Sequence, residues 1–313
     1  MKKAFVFPGQ GAQKVGMVKD LYDSYASVRQ LFEESDDALG FSLTKLCFEG
    51  PDEELMLTYN TQPAILTAST ACNLVLKEEG FQPDIVAGHS LGEYSALVAA
   101  GSLDFADAVR TVRLRGQFMQ EAVPLGEGAM AAILGLDEEK IKSICTQIST
   151  QGATVEAVNF NCPGQIVIAG ATKAVEQAVE SMKEAGAKRA VMLNVSAPFH
   201  STLMQPAAER LAEVLDTITI RDAVIPVVAN VNGEIERTAA DIKASLVKQA
   251  ASPVLWVKCV QTMQTFGADT FVEAGPGKTL CGFNRKIDKT IHSENTEDIP
   301  SLKKTVEFLA GGN

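Results

Sequence analysis

Ser90 stands between two glycines in the stretch Val86-Ala87-Gly88-His89-Ser90-Leu91-Gly92-Glu93. Before it, Pro83-Asp84-Ile85-Val86 reads as a turn entering a short buried strand. After it, Ala96-Leu97-Val98-Ala99-Ala100 reads as an apolar helix stopped by Gly101. A serine at a strand-to-helix turn, with glycine two residues away on each side, has the form of the G-x-S-x-G nucleophile elbow. Such a turn is tight and strained, and side chains at the flanking positions would collide with neighbouring backbone. The helix N-terminus adds free N–H groups and a positive dipole end beside the hydroxyl. The competing reading is a helix-capping serine between two chance glycines.

A serine nucleophile needs a base, and the chain has three histidines. His89 adjoins the serine in sequence, so its side chain projects away from it. His292 lies in a polar segment near the C-terminus. His200 follows Pro198, which places it on a loop or at the entry to a helix. Imidazole titrates near neutrality, so His200 is the well-placed candidate base. A satisfied structural histidine is the alternative.

Arg115 is the third candidate. Phe105, Ala108, Val109, Val112, Gly116 and Met119 recur at spacings of three and four, which predicts a helix from Ser102 to Met119. At about 100° per residue, Arg110 and Arg113 point away from that stripe and read as solvated charges. Arg115 falls on its edge, beside Ala108 and Met119. A buried or half-buried guanidinium requires an anion. A ligand could supply it, and so could an internal Asp or Glu.

Two glycine-rich stretches imitate phosphate loops and fail. Pro8-Gly9-Gln10-Gly11-Ala12-Gln13 follows a first strand at Ala4 to Phe7, but Lys14 holds the third glycine position of a dinucleotide fingerprint. Gly275-Pro276-Gly277-Lys278-Thr279 lacks the glycine a P-loop needs at 272, where Val272 stands.

The elements that must position these residues can be read in order. Amphipathic helix runs from about Asp20 to Leu57, broken at Gly40 and Gly50-Pro51. Thr61-Gln62-Pro63 opens a helix over Ala64 to Glu79, with Gly80 as its stop. From Ala129 the texture changes. Strand, helix, two strands, helix and strand follow one another: Ala129 to Leu136, Asp137 to Thr150, Thr154 to Asn159, Gln165 to Gly170, Thr172 to Ala185 and Lys188 to Val195. That is βαββαβ, the ferredoxin-like order, expected as a small inserted subdomain. Helices are then expected over Met204 to Leu215, Asp241 to Ala250 and Val254 to Phe266. Strands are expected at Val224 to Ala229 and Thr270 to Glu273. A polar, weakly patterned stretch and a last short helix end the chain.

Composition bounds the function. The 313 residues are 46% hydrophobic and 21% charged, enough for a large core and typical of a soluble enzyme. No run of about eighteen apolar residues indicates a membrane span. The N-terminal apolar run is too short for a signal peptide. Six scattered cysteines form no C-x-x-C, and with three histidines no metal site is spelled out. Free thiols of a cytoplasmic protein are the expectation. A net charge of −11 argues against a nucleic-acid binder.

Taken together, the chain resembles the malonyl-CoA:acyl carrier protein transacylases of fatty acid synthesis along nearly its whole length. The motifs are F-P-G-Q-G-A-Q at Phe7 to Gln13, G-H-S-L-G-E at Gly88 to Glu93, R-G-Q-F-M-Q at Arg115 to Gln120 and P-F-H-S at Pro198 to Ser201. S-P-V-x-W at Ser252 to Trp256 and E-A-G-P-G-K-T-L at Glu273 to Leu280 complete the set. The resemblance implies an α/β class protein, with an α/β-hydrolase-like core over residues 1–125 and 197–313 and the ferredoxin-like subdomain over 126–196.

It also implies roles. Ser90 corresponds to the nucleophile, His200 to the general base, and Arg115 to the residue that pairs with the malonyl carboxylate. Gln10 and Leu91 would lend backbone N–H groups to an oxyanion hole. Gln249 matches the position whose backbone carbonyl orients the histidine, so no triad acid need be found. Phe199 resembles the pattern of malonyl-selective members. The expected partners are malonyl-CoA and acyl carrier protein, with no cofactor. Two rivals remain open at this level. A serine hydrolase such as a thioesterase shares the elbow but leaves Arg115 unexplained. A non-catalytic acyl-CoA or carrier-protein binding module would carry the same residues as a vestigial site.

Overall fold

Ala4-Phe5-Val6-Phe7 and Ile85-Val86-Ala87 are apolar at every position because both faces of their strands are covered. Successive side chains in a strand point to opposite faces. Accordingly Phe5, Phe7 and Val86 enter one core cluster, while Ala4, Val6, Ile85 and Ala87 enter another. The computed structural model describes residues 2–195 and 197–311.

The first part of the chain runs β1 (Lys2–Phe7), α1 (Lys19–Ser24), α2 (Ala26–Leu39), α3 (Leu43–Glu49), α4 (Asp52–Leu55) and α5 (Thr58–Glu78). It continues with β2 (Ile85–Gly88), α6 (Gly92–Ala99) and α7 (Phe105–Glu121). A second unit follows: β3 (Gly128–Leu134), α8 (Glu138–Ser149), β4 (Val155–Cys162), β5 (Gln165–Ala171), α9 (Thr172–Glu184) and β6 (Arg189–Met192). The chain then returns through a 3-10 turn at Thr202–Met204 to α10 (Gln205–Leu215), β7 (Val227–Val228), β8 (Ile235–Glu236) and α11 (Ala239–Gln249). It ends with α12 (Trp256–Phe266), β9 (Ala268–Glu273), α13 (Thr279–Ile287), β10 (His292–Asn295) and α14 (Ile299–Gly311).

The main sheet has the order β10-β9-β1-β2-β7-β8. Its pairings are parallel except for the β7–β8 hairpin. The second sheet has the order β4-β5-β3-β6 and is antiparallel. With two helices packed on it, this is the ferredoxin-like arrangement. Ala129, Ala131 and Ile133 of β3 face α8 and α9, while Met130 faces the main body. The two units are also stitched together at one edge. Val254 N–H donates to Val158 O at 2.8 Å, and Phe160 N–H donates to Val254 O at 3.0 Å. The proposed limits at 1, 196 and 313 fall on Met1, Ser196 and Asn313, which lie outside the described residues.

Several sequence expectations need correction. α5 begins at Thr58 and carries Pro63 inside it. A proline there leaves the carbonyl four residues earlier, Tyr59 O, without its helical donor. Arg113 supplies that donor, with its guanidinium bonded to Tyr59 O at 3.1 Å and to Asn60 Oδ1. It also lies 4.8 Å from both the Phe41 and Tyr59 ring centroids. Arg113 is therefore half-buried and structural, not a solvated charge. Arg110 is exposed and pairs with Asp107 at 2.6 Å.

The strand expected over Val224 to Ala229 is only two residues long, because Pro226 contributes a carbonyl to Val86 N–H but no donor. The strand expected over Lys188 to Val195 stops at Met192. The polar stretch after Thr279 holds α13 and the edge strand β10, and the last helix is thirteen residues long.

Candidate active site

Parallel strands β1 and β2 end side by side, and their carboxyl ends open into a cleft, the usual place for a site in such a sheet. At the end of β2 the chain turns sharply into α6. Ser90, at that turn, has φ 53°, a left-handed conformation rarely adopted by a non-glycine residue. The flanking glycines are sterically required. A Cβ on Gly88 would lie 1.8 Å from Gly92 C, and one on Gly92 would lie 2.1 Å from Phe7 O. The strained turn is clamped by Asn230, which is fully buried. Its Oδ1 accepts from Ser90 N–H at 2.7 Å and its Nδ2 donates to Gly88 O at 2.7 Å.

Ser90 Oγ lies 2.6 Å from His200 Nε2. His200 sits in the turn Pro198-Phe199-His200-Ser201, also at positive φ, 65°. Its Nδ1 lies 2.9 Å from the backbone carbonyl of Gln249, at the end of α11. A carbonyl can only accept, so Nδ1 carries the ring hydrogen. The Nε2 lone pair is then left to receive the Ser90 hydroxyl proton. Burial first, and the nearby Arg115 charge second, push the His200 imidazole down to about 3. The ring is thus neutral and free to accept at physiological pH.

Arg115 is 2% exposed. Gly116 beside it lets α7 approach α5 closely, since a Cβ there would lie 2.6 Å from Tyr59 Cα. The guanidinium reaches Gln62 Oε1 at 2.7 Å, Gln249 Oε1 at 2.9 Å and Ser90 Oγ at 3.4 Å. It also lies over the Tyr94 ring, 5.6 Å from the centroid. Its hydrogen-bond acceptors among the described residues are uncharged, and Nε has none. The internal ion pair that the sequence left open is therefore not formed directly.

Gln10 and Leu91 line the same cleft. Leu91 directly precedes α6, so its N–H belongs to the positive end of that helix. Among the described residues, no hydrogen bond engages the N–H of either Gln10 or Leu91. Phe199, Met119, Met130, Leu193 and Val195 supply the apolar walls. His89 points away from Ser90, with Nε2 2.7 Å from Asn161 Oδ1 and its ring against Trp256. His292 is remote, stacked on Phe308 at 3.8 Å.

The structure thus brings Ser90, His200, Arg115, Gln10, Leu91 and Gln249 to one place. It adds three residues not singled out from sequence: Gln62, Glu93 and Asn230. Glu93 gave a signal, being a carboxylate just ahead of the apolar run Ala96 to Ala100. Asn230 ends an apolar run, and Gln62 beside Pro63 gave none. The arrangement can deliver an activated hydroxyl to a carbonyl carbon, with donors for an oxyanion and a cation for a distal carboxylate.

The family model described as acyl transferase domain matches residues 4–308. The malonyl CoA-acyl carrier protein transacylase of Bacillus subtilis (strain 168) is 51% identical over 312 residues, covering 100% of this chain and 98% of its own. The transacylase of the same name from Escherichia coli (strain K12) is 49% identical over 306 residues, covering 97% and 99%. The crystal structure of an acyl-carrier-protein S-malonyltransferase from Burkholderia pseudomallei 1710b matches with TM-score 0.95 at 49% identity, covering 98% of this chain and 100% of that one. A malonyl-transacylase in complex with its type II PKS acyl-carrier protein matches with TM-score 0.96 at 48% identity, covering 98% and 100%.

Proposed function

The chain belongs to the acyl transferase family, and from that premise we propose how its cleft moves a malonyl group from coenzyme A to the phosphopantetheine thiol of acyl carrier protein. The enzyme is a malonyl-CoA:acyl carrier protein S-malonyltransferase of fatty acid biosynthesis. The observation that carries the residue assignment is the line Gln249 O, His200 and Ser90 Oγ, with Arg115 Nη2 3.4 Å from that same Oγ.

His200 Nε2 takes the Ser90 proton as Oγ attacks the thioester carbonyl. The Gln10 and Leu91 N–H groups receive the oxyanion, and losing one such donor typically costs about 3–4 kcal/mol. When the C–S bond breaks, the imidazolium returns its proton to the coenzyme A thiolate. Malonyl-Ser90 remains. The carrier thiol then gives its proton to His200 and attacks the ester, and the proton goes back to Ser90 as the C–O bond breaks. Arg115 holds the malonyl carboxylate with its planar fork, which fixes the carbonyl for attack.

These steps use a hydroxyl, an imidazole, a guanidinium and two N–H groups of this chain, and the reading assigns no cofactor. Residues 1–125 and 197–313 form the catalytic unit in this reading, and 126–196 form the small subdomain that roofs the cleft. We also place the protein in the cytoplasm, where its six free thiols would stay reduced. Among the described residues no helix is long and apolar enough to cross a membrane.

Intact mass after mixing with malonyl-CoA tests the reading. The chain should gain one malonyl group, and Ser90→Ala should gain none while remaining folded. An adduct on folded Ser90→Ala would move the nucleophile elsewhere.

A further inference from the structure

Two buried charges of opposite sign meet beneath the elbow without touching. Arg115 and Glu93 are each 2% exposed. A bare guanidinium or carboxylate buried to that degree costs several kcal/mol unless it is compensated. Arg115 hydrogen-bonds only neutral acceptors among the described residues. Glu93 Oε2 accepts from Asn230 N–H at 2.9 Å and from Gln249 Nε2 at 3.0 Å. The Gln249 side chain stands between the two charges. Its Oε1 faces Arg115 at 2.9 Å and its Nε2 faces Glu93, so the amide dipole is aligned with both. The same Nε2 donates to Ser90 O at 2.9 Å, which ties this bridge to the elbow.

We propose that Glu93 is the counter-charge of Arg115, coupled to it through the Gln249 side-chain amide, and that it sets how strongly the cleft favours an acyl group bearing a carboxylate. A direct Arg–Glu pair would occupy the planar fork and compete with a substrate carboxylate. An amide placed between them relieves the buried charge while giving the fork only a neutral acceptor, which a substrate carboxylate can displace with stronger charge-assisted bonds. Glu93 is a positioning residue in this account, since it acts on the acyl group only through Gln249 and Arg115. Glu236, half-buried and bonded to Ser245, adds a like charge nearby, and the Tyr94 hydroxyl and Cys259 thiol face the same space in neutral form. Burial pushes the Glu93 carboxyl up to about 7, so the charge is best tested somewhat above neutrality.

The inference rests on the reading of Arg115 as the carboxylate anchor, and the test separates the two. Malonyl-CoA and acetyl-CoA are compared in wild type, Glu93→Gln, Arg115→Met and the double variant, at about pH 8, where the Glu93 carboxyl is mostly ionised. Glu93→Gln keeps an acceptor for Asn230 N–H and Gln249 Nε2 but removes the charge that opposes a substrate carboxylate. The malonyl-to-acetyl ratio of kcat/KM should rise about tenfold, the scale of one charge pair at the effective dielectric of a protein. Each single variant leaves one buried charge uncompensated, so the Tm loss of the double should be smaller than the sum of the singles. If Glu93→Gln alone does not fold, a double variant that folds meets this second expectation. An unchanged ratio in a folded Glu93→Gln, or additive Tm losses, overturns the proposal. Absence of any malonyl preference in the wild type would instead overturn the anchor reading itself.

Discussion

Arg115 Nη2 lies 3.4 Å from Ser90 Oγ, so the guanidinium reaches the nucleophile itself. In the mechanism proposed above, the cation and the nucleophile address two ends of one small acyl group. A carboxylate held by the fork leaves the thioester carbonyl at the hydroxyl, and an acyl group without one lacks that anchor.

His200→Ala should slow malonyl loading about 10²–10⁴-fold, the usual scale of lost general-base catalysis. The proposed oxyanion donors and Arg115 are untouched, so some loading above solution chemistry should persist. Stopped loading experiments near neutral pH give the rate. Wild-type speed would remove His200 from the mechanism.

The pH profile should respond to Arg115. Its charge opposes protonation of the His200 ring and, after burial, is the second cause that pushes the imidazole down to about 3. Removing the charge raises the imidazole pKa, so protonation should begin to silence the base at higher pH. The acid limb of kcat/KM for acetyl-CoA should therefore lie higher in Arg115→Ala than in wild type. Acetyl-CoA is the right probe because it brings no acyl carboxylate that titrates. A limb that stays in place would mean that the two groups do not sense each other.

Arg113→Ala should destabilise the fold by about 1–3 kcal/mol, the range for stripping the partner from a buried acceptor. Tyr59 O would lose the donor that replaces the N–H missing from Pro63. Urea unfolding measures the loss. An unchanged midpoint would show that water satisfies Tyr59 O equally well.

The contrast between Arg115 and Arg113 shows what the sequence could reveal. Helical phase put Arg115 at the edge of the apolar stripe, and it is buried there. The same phase put Arg113 on the outer face, where it is nonetheless half-buried. Phase describes one helix, whereas the partners of Arg113 come from α5, 53 and 54 residues earlier. The elbow was legible because its pattern is local: Gly88 and Gly92 flank Ser90 by two residues, and a Cβ on Gly88 would meet Gly92 itself, although one on Gly92 would meet Phe7 O on β1. The βαββαβ unit was legible because alternating strands and amphipathic helices recur over a short span. The clamp of Asn230 on Ser90 bridges 140 residues, and the Gln249 side chain reaches Ser90 O across 159. No local pattern records such bonds. β10 escaped for a different reason: His292-Ser293-Glu294-Asn295 is a polar edge strand without apolar alternation.

The central claim is that Arg115 selects the acyl group by its carboxylate. Its most direct test is kcat/KM for malonyl-CoA and acetyl-CoA in wild type and Arg115→Ala. Wild type should disfavour acetyl by up to about 10⁴-fold, the general scale when a buried polar group is left unpaired. Arg115→Ala should lose malonyl transfer and keep or gain acetyl transfer, reversing or erasing the preference. Arg115→Lys should restore malonyl transfer only in part, because a point charge cannot copy the planar fork. An Arg115→Ala enzyme that loses both activities by the same factor would contradict the claim and leave the arginine a structural residue of the cleft.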